Sequence, residues 1–233
     1  MSAPASLVPS YEAERLQSLR HYNFLAGPPD DVFYAVVALA AQVFGQPLSF
    51  VALVDAGEVI FPVQHGSGPM PSVPRAQALC SSAILAPGVV AYENLTATAL
   101  TGADAPAIGA AVAQGNAFYA AAPLRMPDGY QIGVLCLMGP QPRSFSQAEA
   151  EVLEAMASVF SVALGVRHLC LETPELGSEE WAVIRARLGA GLAALHGQAQ
   201  ELLLAHGAAV PVPAAVLEPL RLGLLELNLG LAE

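Results

Sequence analysis

The 233-residue sequence predicts an α+β fold with a central antiparallel sheet and a C-terminal helical extension, and three observations carry that prediction. Hydrophobic periodicity gives the order helix-helix-strand-strand-helix-strand-loop-strand-strand-helix, followed by two further helices. Hairpins with helices at both ends of the chain suit α+β packing and not a doubly wound parallel sheet. The segment 118–139 reads as two strands reversing at Met126-Pro127-Asp128-Gly129, where proline presets φ and Gly129 supplies the positive φ of a tight turn. Neither face of that hairpin is polar. Alternation sets Tyr119, Ala121 and Pro123 against Phe118, Ala120, Ala122 and Leu124, and Ile132, Val134, Cys136 and Met138 against Gly133, Leu135 and Leu137. Such a pair of strands needs cover on both sides.

The other elements follow from local signals. Ser10 is placed to cap a helix running to about Leu25, with Glu12 and Glu14 in its first turn. Gly27-Pro28-Pro29 ends it, and Pro29 opens a second helix striped by Val32, Phe33, Val36, Val37, Leu39, Ala40 and Val43, with Gly45 as its C-terminal stop. Residues 48–54 and 59–65 form a hairpin, 75–85 a short helix, 89–92 a short strand, and 95–117 a long covering loop. Ser146 with Glu149 is a capping box opening a helix to about Leu169, striped by Leu153, Met156, Phe160 and Leu164. Beyond a break at 173–177, Trp181, Ile184, Leu188, Leu192, Leu195, Ala199 and Leu202 stripe another long helix. A last leucine-rich helix starts near Pro213 or Pro219. The domain boundary falls at residues 10–170, with 171–233 as a helical hairpin extension.

Composition narrows function by exclusion. The net charge is −11, and all nine basic residues are arginine, so nucleic acid and anionic membrane surfaces would be repelled. Mean hydropathy is high at +0.51, and residues 32–54 carry no charge, but Gly45-Gln46-Pro47 interrupts that run and no basic residue flanks it. It reads as a buried helix running into a buried strand. The N-terminus lacks the basic and apolar regions of a signal peptide, and Cys80, Cys136 and Cys170 are widely spaced in apolar surroundings, as buried thiols of a reducing cytoplasm would be. No His/Cys cluster has metal-ligand spacing, and no nucleophile triad, P-loop or dinucleotide fingerprint occurs, so no metal, cofactor or enzymatic activity is expected. His196 and His206 lie on leucine-rich helices, but each is followed by glycine and neither sits in a phosphotransfer motif.

Three phrases in this order resemble the GAF domain, a sensory fold of histidine kinases, cyclases and phosphodiesterases. They are Glu14-Arg15-Leu16 through Leu19-Arg20 with Pro28-Pro29, Ala41-Gln42-Val43-Phe44-Gly45 through Leu53-Val54-Asp55, and Phe118-Tyr119-Ala120-Ala121-Ala122-Pro123-Leu124 with Gly133-Val134-Leu135-Cys136. The resemblance implies a sheet with a helical layer on one face, and a short helix plus loops enclosing a small-molecule pocket on the other. It implies dimerisation through flanking helices and a signalling partner. Pro74-Arg75 and Cys80 match a phrase common in such domains, while Ala76 and Ser82 stand where an acidic residue and a histidine are usual, and Asn94 where an aspartate is. The absence of lysine argues against the cyclic-nucleotide motif, and Cys80-Ser81 against bilin attachment.

The candidate ligand-binding residues are therefore Phe61, Arg75, Cys80, Ser82, Asn94 and Tyr119. Arg75 at a helix start is suited to clamp an anion, or else to a surface or interface. Cys80 is a ligand-contacting or redox-sensing thiol, or a small buried hydrophobe. Phe61 and Tyr119 line the pocket or pack the core. Two functions stay open: a cytoplasmic module that binds a small molecule and signals through its helices, or a ligand-free dimerisation scaffold.

Overall fold

The structure is a computed structural model, and it describes residues 7–173, 177–207 and 209–232. Six antiparallel strands form one sheet in the order β3-β2-β1-β6-β5-β4. These are β1 (Leu48–Val54), β2 (Glu58–His65), β3 (Val73–Pro74), β4 (Val90–Tyr92), β5 (Phe118–Arg125) and β6 (Gln131–Gly139). The β5–β6 hairpin lies inside the sheet, as its two apolar faces require, and every residue of Phe118–Leu124 is buried.

Two bulges decide which side chains reach which face. Leu124 pairs with Gly133 and Arg125 with Gln131, which leaves Ile132 as the extra residue on β6. Strict alternation puts Ile132 beside Val134; the bulge turns it instead onto the opposite face with Leu135 and Leu137. In β2 the register against β1 slips across the stretch holding Pro62, which has no N–H to give the ladder. Val59 and Phe61 consequently face one side and Val63 the other.

One face carries a helical layer of α2 (Asp31–Phe44), α5 (Gln147–Glu172), α6 (Gly177–His206) and α7 (Ala214–Ala232). The stripes expected on α6 and α7 are spent here. Trp181, Leu188, Leu192, Leu195 and Ala199, and Val216, Leu217, Leu220 and Leu224, belong to the same core as Phe33, Phe118 and Phe160. The two helices beyond residue 170 thus pack one face each into the sheet's own core; residues 174–176, 208 and 233 lie outside the described residues. α5 is the one described helix long and apolar enough to cross a bilayer, and 56% of its most apolar window is buried within the fold. Residues 32–54 are α2 followed by β1, both in the core.

Several local expectations are corrected. The first helix, α1, spans Glu12–His21, with Tyr11 at its start and no side-chain cap from Ser10; a 3-10 turn follows at Phe24–Ala26. α2 begins at Asp31 after Asp30 and not at Pro29, while Gly45 does end it at φ +59°. The expected helix over 75–85 is broken into a 3-10 turn, Arg75–Gln77, and α3, Cys80–Ala83, because Ala78 adopts an extended conformation. The expected loop 95–117 contains a 3-10 turn at Leu95–Ala97 and a true helix, α4 (Ala105–Ala113). Alanine's high helix propensity and Pro106 in the first turn outweigh Gly109 there. Pro219 is accommodated inside α7 and does not start it.

Candidate functional site

Opposite the helical layer, the sheet is roofed by α3 and α4 over a cavity of about 310 Å³. Its floor is Leu48 and Phe50 of β1, Tyr119 of β5 and Met138 of β6; Phe61, Met70, Pro71 and Val73 wall one side. Ala78, Leu79 and Cys80 come from the broken roof segment, and Ala107, Ala110 and Ala111 from α4. Small residues on α4 let the helix approach the sheet while leaving space beneath. Gln77 and Gln114 are exposed at the rim, and Asn116 is buried just before β5.

The roof is pinned by polar contacts. The Tyr92 hydroxyl donates to the Asp104 carboxylate at 2.8 Å, joining β4 to the start of α4. Burial, reinforced by that carboxylate, pushes the phenol well above its ordinary range, so it stays a donor. The Ser81 hydroxyl donates to the Arg75 carbonyl at 2.7 Å. Asn94 accepts from the Thr96 and Ala97 amides and caps the turn leading to α4.

Beneath the roof, Cys80 Sγ lies 3.7 Å from Cys136 Sγ, and the Tyr119 hydroxyl is 3.5 Å from each. Burial holds the Tyr119 phenol and the Cys136 thiol well above their ordinary values. Hydrogen bonding from Cys136, then from Tyr119, pulls the Cys80 thiol below its own despite burial. This cluster uses up the floor's polar atoms among themselves.

The six sequence-selected residues divide evenly. Phe61, Cys80 and Tyr119 line the cavity. Arg75, Ser82 and Asn94 do not, and each has structural employment instead. Arg75 is buried and turned away, donating to Glu12 Oε1 at 2.5 Å and to the Leu7 carbonyl at 2.7 Å. Burial alone would raise the Glu12 carboxyl, but its bonds to Arg15 and Arg75 hold it below the usual range. Ser82 donates to the Leu79 carbonyl at 3.0 Å. Sequence reasoning missed Asn116, which follows a glycine and reads as an ordinary turn residue, and Met70, half-buried in a Gly/Pro loop with no periodicity. Among the described residues no group of three His, Cys, Asp or Glu side chains is placed to hold a metal ion.

An antiparallel sheet backed by helices on one face and roofed over a cavity on the other defines a two-faced α+β domain. The chain belongs to the GAF domain family, whose model matches residues 26–165. It is 28% identical over 153 residues to the cyclic di-GMP phosphodiesterase PA2567 of Pseudomonas aeruginosa, covering 64% of this chain and 25% of that enzyme. The chain thus spans a quarter of the length of that relative. Similar solved structures include the PixJ GAF domain of Thermosynechococcus elongatus, at TM-score 0.46 and 14% identity over 70% of this chain and 92% of that one. Another is the GAF-B domain of DevS from Mycobacterium smegmatis, at TM-score 0.43 and 22% identity over 58% and 92%.

Proposed function

We propose that this chain is a cytoplasmic, non-enzymatic sensory module that binds a small molecule in the roofed cavity and reports occupancy through its helical layer to a partner protein. The observation that carries the reading is the cavity itself. At about 310 Å³ it falls at the lower end of small-molecule sites, and it is walled by apolar side chains with a few polar groups. The sheet links the two faces: Tyr119 touches the cavity while its β5 neighbours Phe118 and Ala120 pack in the helical core. A ligand shifts the helices only if it contacts the roof and floor differently in two arrangements. The broken α3 segment, held by a few hydrogen bonds, is the element suited to move. Three free, buried thiols fit a reducing compartment.

The ligand-free scaffold reading draws on the structural employment of Arg75, Ser82 and Asn94. Native mass spectrometry of the protein purified from its own host separates the two. Retention of a small molecule by the wild type, lost on filling the cavity with Ala111→Trp, supports sensing. A ligand-free spectrum, together with unchanged signalling by a folded Ala111→Trp variant, would leave only the scaffold.

A further inference from the structure

The ligand class can be narrowed from what the cavity lacks and from one side chain it leaves idle. None of the residues lining it is charged. The arginine closest in sequence to the roof, Arg75, is committed to Glu12. α3 has four residues, too short to offer a helix-terminus anion site, and Asp104 sets a carboxylate of its own beside the start of α4. A net charge of −11 adds a general repulsion of anions. A phosphate or carboxylate brought into this space would be desolvated without a compensating cation.

Asn116 is 7% exposed and lines the cavity, and its side-chain carboxamide has no hydrogen-bond partner among the described residues. Neither its Oδ1 nor its Nδ2 is fully occluded, so solvent reaches the carboxamide, and a ligand that displaces that solvent has to supply the hydrogen bonds lost. The Tyr119 hydroxyl is turned to the Cys80 and Cys136 sulfurs, and its side chain is fully buried. The exposed carboxamides of Gln77 and Gln114 at the rim offer the same donor-and-acceptor chemistry. Phe50, Phe61, Met70 and Met138 supply flat or adaptable apolar walls.

We propose that the cavity takes an uncharged, mainly apolar ring compound carrying one amide-like edge, with that edge paired to the Asn116 carboxamide. A donor next to an acceptor on the ligand matches the carboxamide's oxygen and NH₂ in a two-bond pair. The space equals about ten water volumes, room for one or two rings and too little for a cyclic dinucleotide. This inference rests on the cavity being a ligand site, and its test separates the two claims.

Three one-ring probes, the isosteres benzamide and benzoate together with the apolar toluene, are titrated into the full ¹⁵N-labelled chain, with amide shifts locating the binding. Benzamide is expected to shift residues around Asn116, Gln114 and Ala78, and to bind at least tenfold more tightly than benzoate. In Asn116→Leu, benzamide weakens at least tenfold while toluene binds as well as before or better. Benzoate binding in the cavity as tightly as benzamide would overturn the uncharged class and leave the cavity reading standing. Equal weakening of benzamide and toluene in the variant would overturn the amide pairing. No shift at cavity residues with any probe at millimolar concentration would overturn the ligand site itself. The ranking in the wild type needs no variant to fold.

Discussion

Glu12 accounts for the fate of the arginine that the sequence offered as an anion clamp. One carboxylate near the start of α1 accepts from both Arg15, at 2.7 Å, and Arg75, at 2.5 Å. The pairing joins α1 to the first turn of the roof, 63 positions away in the chain. Nothing in the local pattern around Arg75 could reveal it, since long-range ion pairs leave no periodic trace. The folded-state pKa of Glu12 lies below its ordinary 4.5. Its contribution to stability is therefore complete above pH 4.5 and is lost as pH falls through the lowered value. Glu12→Gln is expected to cost about 1–3 kcal/mol at neutral pH, because two buried guanidinium groups lose their counter-charge. Urea midpoints measured from pH 7 to pH 3 should converge for wild type and variant in acid. Parallel curves would show that the pair contributes no linked stability. Cys80 and Tyr119 could be placed on the cavity from alternation and helix position. Asn116 was not legible, because its burial depends on how α4 folds over it.

Among the elements, the chain between β6 and α5 shows what a local motif does and does not foretell. Ser146 and Glu149 form the capping box that their spacing predicts, with the Ser146 amide donating to Glu149 Oε2 at 2.7 Å. The same carboxylate is wholly buried and does two further jobs. Its other oxygen accepts from the Arg143 guanidinium and from the Val212 amide at 3.1 Å, tying in the segment before α7. Arg143 in turn donates to the Phe44 carbonyl at the end of α2 and lies over the rings of Phe118 and Phe145. One ion pair thus clasps α2, α5, β5 and the approach to α7. Removing one partner leaves an uncompensated buried charge, so Arg143→Met is expected to destabilise by about 3–5 kcal/mol in urea denaturation. The double variant Arg143→Met/Glu149→Leu should lose clearly less than the sum of its single variants. Additive losses would show that the two side chains act independently. The same contrast between local and distant cause explains the helix α4. Its alanines favour helix, but Gly109 and the flanking Thr/Gly runs masked it until tertiary packing of Ala107, Ile108 and Ala111 is taken into account.

For the molecule as a whole, the central place of the β5–β6 hairpin and its apolar faces were readable, because a buried antiparallel hairpin imposes period two on its sequence, whereas the two-residue β3 at Val73–Pro74 was not. What the helical stripes would pack against was not readable, since an apolar stripe fits its own domain or a second copy equally well. The structure spends those stripes internally: Leu192, Leu220 and Leu224 join the core beneath the sheet. A different row is left over. Leu222, Leu225 and Leu229 of α7 are 49%, 41% and 68% exposed, and their spacing of three and four puts them on one outward face. Leucines aligned on an outer helix are the kind of surface that association covers. We propose that α7 faces pair two copies of this chain, which would place the dimer contact on the helical layer, across the sheet from the cavity. Sedimentation velocity over a hundredfold concentration range should show a monomer–dimer equilibrium for the wild type. Leu225→Arg/Leu229→Arg should shift it to monomer while leaving thermal unfolding within a few degrees, because exposed side chains contribute little to the fold. A wild type that stays monomeric throughout, or a variant that dimerises as well as the wild type, would place the contact elsewhere or remove it. Where the dimer forms, adding the benzamide probe tests coupling directly. A ligand that favours one helix arrangement must change the dimerisation constant, and the dimer must change the probe's affinity by the same factor.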